Sequence, residues 1–483
     1  MAKSTGGTID NKILGTAPIG GLLARFALPT IIAMVVNSLY NVVDQIFIGQ
    51  KVGHLGTAAT TAAFPVTTIA MSLALLVGAG GAALASIKLG EKKDKCAEQI
   101  LGNVITASTV LSVVFSIVAL IFLEPMLKAF GALPDVLPYA KDYTQIILLG
   151  VPFLSVGTCL TNMARTDGNP NLSMVSMLVG AGINFVLDPV LIFVVEMGVQ
   201  GAAIATIFSQ FIVFVMGLVY FLTRSNMRIK KENLRPDWRL MRWFMALGVS
   251  NCMTQLALTI VQIVINNSAG YYGDLSPTGG PVALSVIGNV MKANTLIIGV
   301  ILGLSMGAQP ILGYNKGTGR PDRVKKTYLL TVASASVFSV LGWLVMQLFP
   351  EVILLAFGRS TPEFNEFTIK CTRIFLFGVF VAGFQIISSN YFQATGQPLK
   401  ATMLAMSRQI LLLVPLVLIF PLFWGLDGIL YAGPVADITS ALIAGGFIIY
   451  EMRKLDRQAA KQNPQPEESV QEPYVERLQQ DNI

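Results

Sequence analysis

Stretches of about 20 mostly apolar residues, the length that crosses a bilayer as a helix, recur roughly twelve times between Leu22 and Glu451. In hydrocarbon a backbone amide finds no water, so repeated runs of this length specify helices that satisfy their own hydrogen bonds. The spans centre on Leu22 to Ile48, Thr60 to Ile87, Ile100 to Leu123, Leu137 to Ala164, Leu172 to Val195, Ala202 to Leu222, Trp243 to Ser268, Val282 to Leu312, Thr327 to Phe349, Phe367 to Ala394, Ala401 to Phe423 and Gly428 to Glu451. The fold class is therefore an all-α polytopic membrane protein. Hydrophobic residues make up 53% of the 483 and charged ones 13%, which leaves too little polar surface for a water-soluble chain of this size.

Basic residues alternate from loop to loop. One set of loops carries Lys88 to Lys95, Arg165, Arg224 to Arg242, Lys316 to Lys326 and Lys400, whereas the other holds Lys51, Lys128, Lys141, Arg359, Lys370 and Arg373, and nothing basic in "VVEMGVQG", "GYYGDLSPTGG" or "FPLFWGLDG". Lys and Arg are retained on the cytoplasmic side of short loops, so both termini are expected in the cytoplasm. The net charge of +7 is then loop charge facing anionic lipid heads and calls for no nucleic acid. The polar start "MAKSTGGTIDNKILGTAPIG" has no cleavable signal, and the first span would serve as its own uncleaved one.

Chemistry of the usual enzyme kinds lacks its parts. Cys96, Cys159, Cys252 and Cys371 are scattered, His54 is the single histidine and falls in a short "QKVGHLG" loop, and no P-loop, HExxH or nucleophile triad is present.

Internal repetition organises the chain. "LLGVPFLSVGTCLTNMARTDGNPN" from Leu148 lies over "FLFGVFVAGFQIISSNYFQATGQPL" from Phe375, matching Gly150, Asn162, Gly168 and Pro170 to Gly378, Asn390, Gly396 and Pro398 at a spacing of 228. "GVQGAAIA" from Gly198 matches "GLDGILYA" from Gly425 at a spacing of 227. Six helices per repeat insert both halves in the same orientation, so a pseudo-twofold axis along the membrane normal and a substrate cleft between two lobes are expected. The expected division is a cytoplasmic N-terminus (1–21), an N-lobe (22–222), a cytoplasmic linker (223–242) with a short interfacial helix near Trp238 to Trp243, a C-lobe (243–452) and a disordered tail (453–483).

Asp44, Asp188 and Asp437 are the acids well inside spans, where an ionised carboxylate costs a few kcal/mol and marks function by default. Asn37, Asn41 and Asp44 share one helical face with Tyr40 beside them, and Gly180, Asn184 and Asp188 share another. Two carboxylates in one low-dielectric pocket would hold a proton, or a sodium ion if the neutral oxygens of Asn41, Asn184 and Thr206 converged on them. The alternative is a hydrogen-bonded core carboxylate that fixes packing. Pro29 and Pro189 each remove a backbone donor and are candidate hinges. The second half replaces these acids with neutral polar stripes: Asn251, Gln255, Thr259, Gln262 and Asn266 in the seventh helix, and Gln385, Ser389 and Gln393 in the tenth.

Taken together, "RFALPTIIAMVVNSLYNVVDQIFIG", "GINFVLDPVLIF", the "TDGNPN" and "ATGQPL" elements and the tandem six-helix repeat resemble the multidrug and toxic compound extrusion (MATE) transporters over about residues 20 to 450. The resemblance implies outward movement of small organic, often cationic and lipophilic compounds, coupled to inward protons or sodium, without a cofactor. It implies a functional monomer in the plasma membrane of a bacterium or archaeon. It also carries the N-lobe cation site of one branch onto Pro29, Tyr40, Asp44, Asn184, Asp188 and Thr206. A sodium ion, if it is the coupling ion, would sit at Asp44, Asp188 and Asn184.

The candidate substrate cavity comprises Tyr40, Asn37, Asn162, Asn251, Gln255, Gln385, Ser389 and Lys292. Lys292 shares a stripe with Ser285 and Asn289; a cation there would repel cationic drugs, and pairing with a carboxylate such as Asp437 or snorkelling to an interface is the bland reading. Arg408 is likewise expected near an interface. Two other functions fit the same outline: a lipid-linked oligosaccharide flippase, and a membrane sensor that uses its acids structurally.

Overall fold

The computed structural model describes residues 13–130, 132, 134–357 and 362–462, apart from the side chains of residues 40–46, 49, 53, 54, 57, 355–357, 461 and 462. Twelve helices among these are long and apolar enough to cross a membrane: α1 (Ile19–Leu39), α2 (Ala58–Gly90), α3 (Asp94–Ile121), α4 (Leu137–Thr166), α5 (Pro170–Val194), α6 (Gly198–Thr223), α7 (Trp238–Asp274), α8 (Gly280–Gly317), α9 (Pro321–Leu348), α10 (Pro362–Ala394), α11 (Pro398–Trp424) and α12 (Leu426–Ala460). No strand occurs among the described residues.

The expected loop around His54 is helical in backbone, because helix runs on from α1 to α2 as Ile19–Gly90; the His54 side chain lies outside the described residues. The segment "QKVGHLGTAATTAAF" contains no proline to break it. A straight helix of this length would extend about 108 Å. Yet Leu22 shares a core cluster with Tyr314, and a Cβ on Gly90 would lie 2.1 Å from the Tyr314 carbonyl oxygen. The chain therefore reverses direction between the two spans.

The repeat is visible in backbone conformation. Gly168 and Gly396 both adopt positive φ, +87° and +81°, at the turns that open α5 and α11, where only glycine enters without strain. Gly198 and Gly425 match in the same way at +56° and +55°. Pro170 and Pro398 then stand at the first helical positions, where a missing N–H leaves no bond unmade.

Three boundaries differ from the sequence reading. Trp238 starts α7 itself, capped by Asp237, whose carboxylate accepts from the Arg239 and Leu240 amides, so no separate interfacial helix forms there. A 3₁₀ turn at Lys231–Leu234 precedes it. At the other end, helix continues to Gln462, so residues 453–462 belong to the helical extension of α12 rather than to a disordered tail.

The two lobes meet at the end that carries the basic loops. One core cluster joins Leu84, Leu101 and Met163 of the first half to Phe244, Leu247 and Tyr314 of the second, and another joins Leu23 and Ala27 to Leu304 and Tyr391. The clusters at the opposite end stay within one lobe each. Backbone spacing along α8 and α1 shows the same divergence. A Cβ on Gly307 would come within 2.5 Å of Ala27, on Gly303 within 2.6 Å of Ile31, on Gly299 only within 3.5 Å of Ser38, and on Gly288 it would meet nothing within 4 Å. The cleft between the lobes thus opens away from the basic end. At the closed end the short helix Ile13–Thr16 is pinned to the second lobe: Asn315 and Arg323 donate to the Leu14 carbonyl at 3.0 and 3.1 Å, Arg320 to Gly15 at 2.7 Å, and Arg323 to Ala17 at 2.8 Å.

Candidate functional site

Glycine at position 180 lets α6 approach the polar face of α5, since a Cβ there would lie 2.8 Å from Val213 and 3.6 Å from the Ser209 carbonyl oxygen. The same face carries Asn184 and Asp188 one helical turn apart, as the i, i+4 spacing requires. Both are buried, Asp188 with no exposed surface. Asn184 donates from Nδ2 to Asp188 Oδ1 at 3.3 Å and, at the outer limit of a hydrogen bond, to Thr206 Oγ1 on α6 at 3.5 Å. Three of the expected cation-site residues therefore converge inside the first lobe.

Immediately beyond Asp188 the ladder changes. Pro189 has no N–H to give to the preceding turn, and Val190–Val194 continue as a π-helical turn closed by the Val195 amide on the Val190 carbonyl at 2.9 Å. Single π turns mark functional positions more often than ordinary ones. Phe47 packs against Phe185, before this turn, and Phe193, within it, with ring centroids 5.9 and 6.3 Å away. The side chains of Tyr40, Asn41 and Asp44 lie outside the described residues, whereas Pro29 is buried within α1 and Asn37 is exposed near its end.

The described oxygens at this site are those of Asp188 and Thr206, with the Asn184 amide turned to donate to both. A proton on Asp188 needs no rearrangement of these groups. A sodium ion would require Asn184 to turn its Oδ1 inward, so that three oxygen-bearing side chains faced a hard cation. No group of three or more acidic, histidine or cysteine side chains that could hold a metal occurs among the described residues.

The other candidates separate into two sets. Asn251 and Gln255 on α7 are half-buried, Lys292 on α8 is exposed, and Gln262 bonds Asn266 along the same α7 stripe at 3.1 Å. By contrast, Gln385 and Ser389 are buried against α11 and donate to the Leu404 and Ala401 carbonyls at 3.3 and 3.2 Å. Asn162 is buried too, bonded to the Thr158 carbonyl at 2.8 Å and to the Arg165 guanidinium. Asp437 does not pair with Lys292. It accepts from Arg408 Nε at 2.5 Å in an ion pair that shields both groups and holds Arg408 inside the second lobe.

Two further acids, near the basic end and beside the ends of the apolar runs, are buried. Asp167, in the turn between α4 and α5, accepts from Tyr220 at 2.6 Å, Ser225 at 2.7 Å and the Asn226 amide at 3.2 Å. Burial pushes its carboxyl above the usual range, against the lowering effect of those hydrogen bonds. In the second lobe Glu451 of α12 accepts from Gln397 at 2.8 Å and Lys400 at 2.9 Å across the matching turn. Each lobe thus ties its repeated glycine-proline turn to its last helix through one carboxylate, supplied from the turn in one case and from the helix in the other. The only sequence signal was a charge beside each repeated turn.

The MatE family model matches residues 29–190 and 251–419, one segment in each half. The multidrug export protein MepA of Staphylococcus haemolyticus (strain JCSC1435) is 26% identical over 443 residues, covering 89% of this chain and 93% of the relative. MepA of Staphylococcus aureus (strain MRSA252) is 25% identical over 441 residues, covering 90% and 95%. Among solved structures, a multidrug resistance MATE family transporter of the MOP superfamily in an outward-facing conformation superposes with a TM-score of 0.86 at 22% identity, covering 94% of this chain and all of the other. MATE in complex with MaL6 superposes with a TM-score of 0.87, also at 22% identity, over 93% and 100% of the two chains. These structural likenesses establish the fold of two six-helix lobes.

Proposed function

The chain belongs to the MatE family of multidrug efflux transporters, and from that premise we propose that it exports small organic, often cationic compounds in exchange for protons or sodium ions entering the cell. The MepA relatives are multidrug export proteins of staphylococci, which supports this reading and a place in a bacterial plasma membrane; the twelve apolar helices support a multi-pass location, and the alternation of basic loops supports both termini inside. The observation that carries it is the convergence of Asn184, Asp188 and Thr206 in the wall of one lobe while the cleft opens at one end only.

The cycle follows from charge. In the open state a cation from outside neutralises Asp188, in concert with Asp44, and removes the attraction that a bound organic cation feels. The compound leaves, and the neutral lobe can reorient. The Pro189 and π-turn segment is where α5 can change its pitch. Each state is favoured only by what binds it more tightly, so the gradient does its work through differential affinity. A membrane potential adds about 2.3 kcal/mol per net charge moved per 100 mV, so it biases the exchange wherever more positive charge enters than leaves.

The test is ethidium efflux from cells stripped of their own pumps. Expression of this chain should lower ethidium accumulation, and collapsing the proton and sodium gradients should abolish the effect. Accumulation that is independent of expression contradicts the proposal.

A further inference from the structure

We propose that Lys292 is a specificity residue that admits compounds bearing a carboxylate, so that the cleft accepts zwitterionic and anionic amphiphiles on its C-lobe wall. The inference rests on the export reading and adds to it a substrate class and the residue that selects it.

Three observations place the ammonium. First, the core-facing side of α8 is defined by Val286, Val290 and Ile301, all buried in the second lobe, and Lys292 lies on the reverse of that face by the 100° step of a helix. Second, Lys292 is in register with Gly299 and Gly303, seven and eleven residues on, which face Ser38 and Ile31 of α1. The Lys292 side of α8 is therefore turned to the first lobe, at a level about 10 Å beyond Gly299 where the two helices have already parted. Third, Lys292 is exposed and forms no ion pair with any described residue, while the other intramembrane acid of its lobe, Asp437, is taken by Arg408.

An ammonium at this depth with no counter-charge among the described residues is unfavourable unless something visits it. It opposes organic cations and attracts anionic groups. Ser285 is exposed and Asn289 half-buried on the same stripe, so a hydroxyl and an amide stand beside the ammonium to complete the hydrogen bonds of a carboxylate. The buried acid at Asp188 lies in the opposite lobe. A zwitterion with its amine toward the first lobe and its carboxylate on Lys292 matches both walls, whereas a permanent monocation matches only one.

Rhodamine 110, which has a free carboxylate, and its methyl ester rhodamine 123, a cation of nearly the same shape, are the matched probes. Their binding to the purified full chain is read by fluorescence anisotropy for wild type, Lys292→Gln and Lys292→Arg. Lys292→Gln is expected to weaken rhodamine 110 by about tenfold while tightening rhodamine 123, and Lys292→Arg to keep the wild-type preference, since a charge-assisted bond is the one removed. An unchanged ratio in Lys292→Gln, or equal loss of both dyes, overturns the inference. So does a wild type that binds only the ester. A Lys292-dependent preference in a protein that fails to move ethidium upholds the inference and overturns the export reading instead. Binding of neither dye by the wild type contradicts both.

Discussion

Gly80 of α2 and Gly248 of α7 touch backbone to backbone across the two lobes: a Cβ on Gly80 would lie 2.7 Å from the Gly248 amide nitrogen, and one on Gly248 only 1.8 Å from the Leu76 carbonyl oxygen. Neither helix can yield without separating the lobes, because the obstructing atoms are main chain. Gly248→Ala is expected to reduce substrate export by about tenfold or more, since the closed end cannot re-form and packed interfaces resist such intrusion. Gly445→Ala, where a Cβ meets nothing within 4 Å, should export normally. Ethidium efflux in cells, normalised to membrane abundance, compares the two.

Thr206 contributes an oxygen from α6 to the Asn184 amide. Thr206→Val keeps the shape and removes that oxygen, and should slow cation-driven exchange by about three- to tenfold, the usual worth of one such hydrogen bond. Thr206→Ser should restore most of the rate. Initial rates of dye efflux at saturating gradient give the comparison; a valine variant as fast as wild type would show that the hydroxyl is idle.

The Arg408 and Asp437 pair is nearly closed to solvent, with side-chain exposures of 18% and 6%. Removing one member leaves the other charged and uncompensated. Asp437→Asn is therefore expected to destabilise the protein by about 3 kcal/mol, whereas Asp437→Leu combined with Arg408→Met should recover much of that loss. Thermal unfolding in detergent measures both. A double variant no better than the single would contradict an account in which the pair is structural.

The buried Asp167 carboxyl is raised by burial, so the folded protein holds its proton more tightly than the unfolded chain. Its contribution favours the fold below about pH 4, the unfolded value, and is lost as pH rises through the folded value. Wild type should consequently gain stability relative to Asp167→Asn as pH is lowered from neutral toward the unfolded value of about 4. Melting curves of the two proteins at both ends of that range show it as a difference that shrinks or changes sign. Glu124 behaves oppositely: hydrogen bonds from Lys128 and Lys141 lower its pKa to about 2.

The twelve spans and the repeat were legible because hydrocarbon imposes a length on every helix and because Gly168 and Gly396 need the same left-handed turn. The Asn184 and Asp188 pairing was legible as well, since i, i+4 places two side chains on one face whatever surrounds them. Partners on other helices were not. Asp437 and Asp188 look alike as acids in apolar runs, and only the fold shows that Arg408, 29 residues earlier, neutralises one of them. The same holds for Gln385, Ser389 and Asn162, polar residues that face neighbouring helices instead of an open cleft. Asp167 and Glu451 sit beside span ends, where a charge is cheap to place in a sequence reading but is buried by packing in the structure. Helix continuing through "QKVGHLG" had no local signal because glycine there weakens a helix without ending it.

The central claim is that Asp188 couples cation entry to export, and purified protein in liposomes loaded with a pH dye tests it most directly. Ethidium is supplied under an imposed proton gradient, then under a sodium gradient, to wild type and to Asp188→Asn. The account predicts substrate-dependent uptake of one of the two cations by wild type and its loss in Asp188→Asn. Full gradient-driven exchange by Asp188→Asn would contradict it and place the coupling site elsewhere.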